Sequence, residues 1–157
     1  NSLSKTYSAP GVRIGWTATQ SPTLTERFRK YRDYTMICGG VFNDQLAVLI
    51  LEHRAEILQR NREIVKRNLK IYTDWVTQEP RASLIVPHGI SVSCLKLELP
   101  VDDETFCRQL LAETGVLLVP GSRFDLPGHV RLGYCTQTEI LVRGLTKLRA
   151  FLRQYDA

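Results

Sequence analysis

Few of the features that announce a function at a glance occur in this chain. Its 157 residues include three histidines and four cysteines, and Cys38, Cys94, Cys107 and Cys135 are too far apart to form a C-x-x-C pair. No histidine clusters beside them, so metal ligation is not expected and the thiols are expected to be reduced and mostly buried. The longest strongly apolar run is Leu46–Leu51, six residues against the roughly 20 that a membrane-spanning helix needs. No charged-then-apolar leader opens the chain, and neither low-complexity tracts nor internal repeats occur. The expectation is a globular chain with no membrane span, in the cytoplasm.

Charge excludes another class. Lys and Arg number 21 against 16 Asp and Glu, a formal +5. The basic residues concentrate on two expected helices, where they alternate with apolar positions as solvated helix faces do. Without an aromatic-interleaved basic patch, a zinc-finger spacing or a helix-turn-helix signature, no nucleic-acid partner is expected.

What is present is a globular composition, 43% hydrophobic and 24% charged, in a chain long enough for one ordinary domain or a piece of a larger one. After an irregular stretch, the Thr23-x-x-Glu26 capping box and the spacing of Leu24, Phe28 and Tyr31 predict a helix over about 23–36. Residues 37–43 read as a loop broken by Gly39-Gly40. A stripe from Leu46 through His53, Asn61 and Asn68 to Val76 then predicts some thirty residues of helix with a bend inside it. His53 reads as a packed structural histidine, Asn61 and Asn68 as satisfied polar groups, and His88 and His129 carry no assigned role.

From Pro80 the pattern changes to short strands and helices. Strands are expected over 83–86, 91–99, 116–119 and 129–135. A helix capped by Asp102 and stopped by Gly115 carries Phe106, Leu110 and Leu111. A last helix, opened by Thr136-x-x-Glu139, carries Leu141, Leu145, Leu148, Leu152 and Tyr155. The fold class is therefore α/β, with an α+β small domain in which helices cover one face of a mostly antiparallel sheet.

The chemistry concentrates at the beginning. Lys5 sits among small residues, with Ser2 and Ser4 before it, a Pro10-Gly11 turn after it, and then Arg13. Hydroxyls and a guanidinium are the groups that grip a phosphate, and small neighbours leave room for a planar ring beside a lysine. The segment Ser2-Leu3-Ser4-Lys5-Thr6-Tyr7-Ser8-Ala9-Pro10-Gly11-Val12-Arg13-Ile14-Gly15 resembles the pyridoxal-phosphate attachment motif of the class I/II (fold type I) aminotransferases.

A second constellation lies on strand 129–135. Period-2 alternation puts Val130, Leu132 and Tyr134 on one face and His129, Arg131, Gly133 and Cys135 on the other. Alone, Arg131 reads as a surface charge. However, Val119-Pro120-Gly121-Ser122-Arg123-Phe124 followed by His129-Val130-Arg131 is similar to the family's C-terminal motif, in which an arginine binds the substrate α-carboxylate. Arg131 holds that arginine's position, and Arg123 falls in the variable part.

The resemblance implies pyridoxal 5'-phosphate as cofactor, held as a Schiff base by Lys5, with Ser2 and Arg13 on the phosphate and Ser4 a weaker candidate. Arg131 would take the carboxylate, and amino acids and 2-oxo acids would be the substrates of a homodimeric enzyme. It further implies that the chain is a C-terminal portion. Residues 1–43 would be a remnant of the cofactor-binding large domain, 44–79 a long linking helix and 80–157 the small domain. Alone, such a portion is expected to bind the cofactor weakly and to be inactive. The loop 37–43, which in the family reaches toward the neighbouring subunit, carries no Arg or Lys, against a dicarboxylate substrate clamped from there. A same-fold lyase of the C–S type would show nearly the same motifs. So would the aminotransferase-like sensor of a winged-helix regulator.

Overall fold

The computed structural model describes residues 1–156. The chain divides into two compact units, Asn1–Asn61 and Arg62–Ala157.

In the first unit an irregular opening leads to α1 (Pro22–Thr35), α2 (Val41–Glu52) and the start of α3 (Arg54–Thr77). The helix α1 begins one residue earlier than its sequence suggests. Ser21 caps it by accepting the Leu24 amide at 3.4 Å, with Pro22 at the first helical position, so the Thr23 capping box is displaced. Its expected stripe stays open, with Leu24, Phe28 and Tyr31 all exposed. The break after α1 is made by Ile37 at φ 55°, and Gly40 already caps α2, so residues 41–43 of the expected loop are helical.

The expected long helix is two helices parted at His53. That residue ends α2 near φ −93°, ψ 17°, and its Nδ1 lies 3.0 Å from the Leu49 carbonyl. His53 is exposed and terminates a helix, which corrects its reading as a packed core residue.

In the second unit, the rest of α3 is followed by β1 (Ala82–Ser83), β2 (Val92–Leu97), α4 (Asp103–Thr114), β3 (Val119–Pro120), β4 (His129–Gly133) and α5 (Thr138–Leu152). The strands form one antiparallel sheet in the order β1-β2-β4-β3. They are shorter than the sequence pattern suggests. β1 pairs only at Ala82 and Ser83, and the chain through Pro87 and Gly89 leaves the ladder.

Alternation on β4 holds. Val130, Leu132 and Tyr134 are buried with Leu95 and Leu97 of β2 beneath Tyr72 and Trp75 of α3, Phe106 and Leu110 of α4, and the α5 stripe Leu141, Leu145, Leu148 and Leu152. Each fully buried aliphatic or aromatic side chain contributes about 1.5–3 kcal/mol. Helices therefore cover one sheet face, as expected. Asp102 caps α4 through the Thr105 amide at 2.8 Å, and Gly115 ends it at φ 73°. α5 has no side-chain cap. Its first turn is held instead by Thr138, whose hydroxyl donates to Asn68 Oδ1 at 2.9 Å. Among the described residues no helix is long and apolar enough to cross a membrane, and no His, Cys, Asp and Glu cluster could hold a metal.

Candidate active site

Two segments hold the candidate residues, one in each unit. In the first unit, Ser2 and Gly15 form an isolated antiparallel bridge. Beside it, the Leu3 amide donates to the Ile14 carbonyl at 3.0 Å and the Trp16 amide to the Asn1 carbonyl at 2.8 Å. The two arms of the lysine segment thus run side by side, with Leu3 buried at their base. Glycine is required at 15, because a Cβ there would lie 2.9 Å from the Asn1 carbonyl oxygen and 3.1 Å from Ser2 Cβ.

Between the arms the backbone is tightly folded. The Ser8 amide donates to the Lys5 carbonyl and the Ala9 amide to the Leu3 carbonyl, each at 3.0 Å. Ser8 and Arg13 take the left-handed conformation at φ 55° and 57°, which costs about 1–2 kcal/mol per non-glycine residue. Two amides hold this shape from outside. Asn43 Nδ2 donates to the Val12 carbonyl at 3.0 Å, and Asn61 Nδ2 to the Thr6 carbonyl at 2.9 Å. Arg13 adds a bond of its own, donating to the Pro10 carbonyl at 2.8 Å.

Electrostatically the segment is one-sided. No Asp or Glu precedes Glu26, so Lys5 and Arg13 have no acidic neighbour in the stretch that holds them. Lys5 is exposed, and its amine makes no hydrogen bond or ion pair among the described residues. Arg13 spends one nitrogen on Pro10 and keeps its other donors. The Ser2 hydroxyl accepts the Ser4 amide at 3.4 Å, which leaves its proton to donate. An uncompensated amine beside hydroxyl and guanidinium donors fits a phosphorylated aldehyde.

In the second unit, Arg131 lies opposite Cys94 of β2 and Val119 of β3, on the sheet face away from the helices. It is half-buried, and its guanidinium carbon sits 5.4 Å from the centroid of the Phe124 ring. It has neither an ion pair nor a hydrogen bond through its guanidinium among the described residues. Arg123 is different: it is exposed and bonded to Glu104 Oε1 at 2.8 Å. Of the two arginines in this motif, only Arg131 keeps every guanidinium donor unspent among the described residues.

The end of β4 is pinned from α3. Buried Asn68 donates to the Tyr134 and Thr136 carbonyls, both at 2.8 Å. The Tyr134 hydroxyl donates to the Ile90 carbonyl, and its ring stacks on Tyr72 with centroids 5.8 Å apart. Burial pushes the Tyr72 hydroxyl up to about 12. It also raises Tyr134 above the ordinary range. Both phenols are therefore hydrogen-bonding core groups at neutral pH.

The family model for aminotransferase class I and II matches residues 1–147. This chain belongs to that family. A solved PLP-dependent aminotransferase from Streptococcus suis superposes with a TM-score of 0.97 at 53% identity, over 100% of this chain and 42% of that one. A probable aminotransferase of Arabidopsis thaliana is 30% identical over 96% of this chain and 39% of its own length. Capreomycidine synthase of Streptomyces vinaceus is 28% identical over 93% and 38%. The chain thus spans about two fifths of the length of these relatives.

Sequence reasoning passed over three residues that shape the two segments. Asn43 carries no signal beyond its place after a glycine pair. Phe124 lies in a recognised motif with nothing to mark it as the ring against Arg131. Asp103 is masked by Asp102, the stronger capping residue.

Proposed function

We propose that the protein carrying this chain is a pyridoxal-phosphate-dependent aminotransferase that moves an amino group between an α-amino acid and a 2-oxo acid. The observation that carries this is the 53% identity, across the whole chain, to a structure described as a PLP-dependent aminotransferase. The lysine segment supports it with a donor set that suits the cofactor. In this reading Lys5 binds the cofactor through Nζ, while Arg13 and the Ser2 hydroxyl hold its phosphate. Arg131 grips the substrate α-carboxylate through two parallel N–H donors, which fixes the direction of the Cα–H bond. Once the substrate amine displaces it from the cofactor, the freed Lys5 amine would take the proton from Cα as general base and, as the ammonium, return one as general acid. When bound, the cofactor's ring supplies the sink for the electron pair left at Cα. Residues 1–43 belong to the cofactor-binding domain, 44–79 link it to the small domain 80–157, and the enzyme works as a cytoplasmic homodimer.

In the intact protein, Lys5→Ala is expected to abolish turnover, and borohydride reduction to leave the pyridoxyl group on Lys5. A group trapped at another lysine overturns the assignment. Losing a charge-assisted, two-pronged contact of about 1.5–3 kcal/mol, Arg131→Ala is expected to weaken amino-acid and oxo-acid binding some 10- to 150-fold. Arg123→Ala should leave both KM values alone, and equal effects of the two substitutions would refute the choice of Arg131.

The match to capreomycidine synthase favours a second reading, in which the same lysine and arginine serve another reaction at Cα or Cβ. Product analysis separates the two: a transaminase forms the donor's 2-oxo acid in step with amination of the acceptor, and a lyase releases ammonia.

A further inference from the structure

We infer that Phe124 is a positioning residue for the substrate carboxylate: its ring backs the Arg131 guanidinium and keeps the in-plane donors free and aimed. The inference rests on the proposed role of Arg131. A guanidinium is planar, with all five N–H groups in its plane and a weakly hydrated face that stacks on aromatic rings. The Arg131 carbon lies 5.4 Å from the Phe124 centroid. Contact of that kind restrains the group without spending a donor, whereas a carboxylate partner would consume two.

Phe124 is itself held unusually well for a side chain 46% exposed, which has little value as core. It ends the four-residue 3-10 turn Gly121–Phe124. Buried Asp103 accepts the Ser122 amide at 2.7 Å at the start of that turn. Gly121 is wedged where a Cβ would lie 2.3 Å from the Leu126 carbonyl oxygen and 2.7 Å from that of His129. Asp125 closes the turn at φ 58°, and the Leu126 amide returns to the Gly121 carbonyl at 3.0 Å. The first turn of α4 thereby holds the backbone turn that carries the ring.

The test uses the intact, cofactor-loaded protein. Its probes are the standard amino acid that proves the best donor and the amine left when that donor loses its carboxylate, the amine measured as substrate or competitive inhibitor. Phe124→Leu is expected to raise KM for the donor and its oxo acid about 3- to 10-fold, the worth of one cation–π contact, with kcat within about twofold of wild type. The amine should bind as before, because it has no carboxylate to be held. Phe124→Tyr, which keeps the π face, should restore wild-type KM. An unchanged KM in Phe124→Leu, or equal loss for donor and amine, overturns the inference. Arg131→Lys measured alongside separates the two layers. If it raises KM while Phe124→Leu does not, only the role of Phe124 falls. If it too leaves KM unchanged, the carboxylate role of Arg131 falls with it.

Discussion

Asn68 offers the sharpest test of how the arginine strand is held. Its side chain is fully buried on α3 and makes three hydrogen bonds: two donated at 2.8 Å to the Tyr134 and Thr136 carbonyls, and one accepted at 2.9 Å from Thr138. These bonds fasten the residues just after Arg131 and the first turn of α5 to one point. Replacing Asn68 by Ala removes all three and leaves two carbonyls facing a small void. At a net worth near 1 kcal/mol per bond, and up to 3 for a buried group left without a partner, the expected cost is about 3–5 kcal/mol. Asn68→Asp keeps the volume but turns both donated bonds into oxygen facing oxygen, so it should cost at least as much with no cavity. Urea unfolding of the intact protein, followed by tryptophan fluorescence, reads the change, since Trp75 lies in the same core and donates to the Leu145 carbonyl at 3.1 Å. If either variant unfolds within about 0.5 kcal/mol of wild type, the anchoring argument is wrong.

Two further outcomes follow from the same unit. Gly121→Ala puts a Cβ against two backbone oxygens at 2.3 and 2.7 Å, neither of which can rotate away, and should cost about 3 kcal/mol in the same urea assay. An alanine variant as stable as wild type would show that the turn relaxes freely. The second outcome concerns pH. Burial, with the Asp103 charge adding to it, pushes the Cys107 thiol from 9.0 to about 11. The fold therefore favours the protonated thiol, so its contribution is whole below pH 9 and is lost as pH rises toward 11. Tyr72, raised from 10.0 to about 12, extends the decline. Cys107→Ala should flatten the fall in stability between those limits, and an identical slope refutes the assignment.

Much of the second unit was legible because its elements obey local rules. The Asp102 cap, the Gly115 stop, the leucine stripe of α5 and the alternation of β4 each depend on neighbours a few residues away, and all four are found as read. What was misread depends on partners distant in sequence. The strands are shorter than their apolar runs because an apolar run does not show where a ladder ends: β1 pairs only with Leu97 and Lys96, although β2 runs on to Val92. The opening of α5 depends on Asn68, 70 residues away, so a local capping box was the wrong place to look. In the first unit the stripe of α1 obeyed the helical period yet remained exposed, because periodicity reports an apolar face and not what covers it.

The two chemical segments show the same division. Lys5, Ser2 and Arg13 are candidates read from a motif, since the proposed chemistry calls for fixed residue types. Their scaffold was not so read, because any donor of the right reach can hold a backbone carbonyl. Yet a faint mark was there. Asn61 and Asn68 interrupt a stripe that is otherwise largely apolar, where an amide is costly unless it is bonded. Reading them as satisfied was correct, but satisfaction has two ends. Asn61 holds the Thr6 carbonyl beside Lys5, and Asn68 holds the carbonyls that follow the arginine strand. A polar residue on an apolar helix stripe is thus a pointer to whichever irregular backbone most needs a donor. In this chain, that backbone adjoins the residues proposed to do the chemistry.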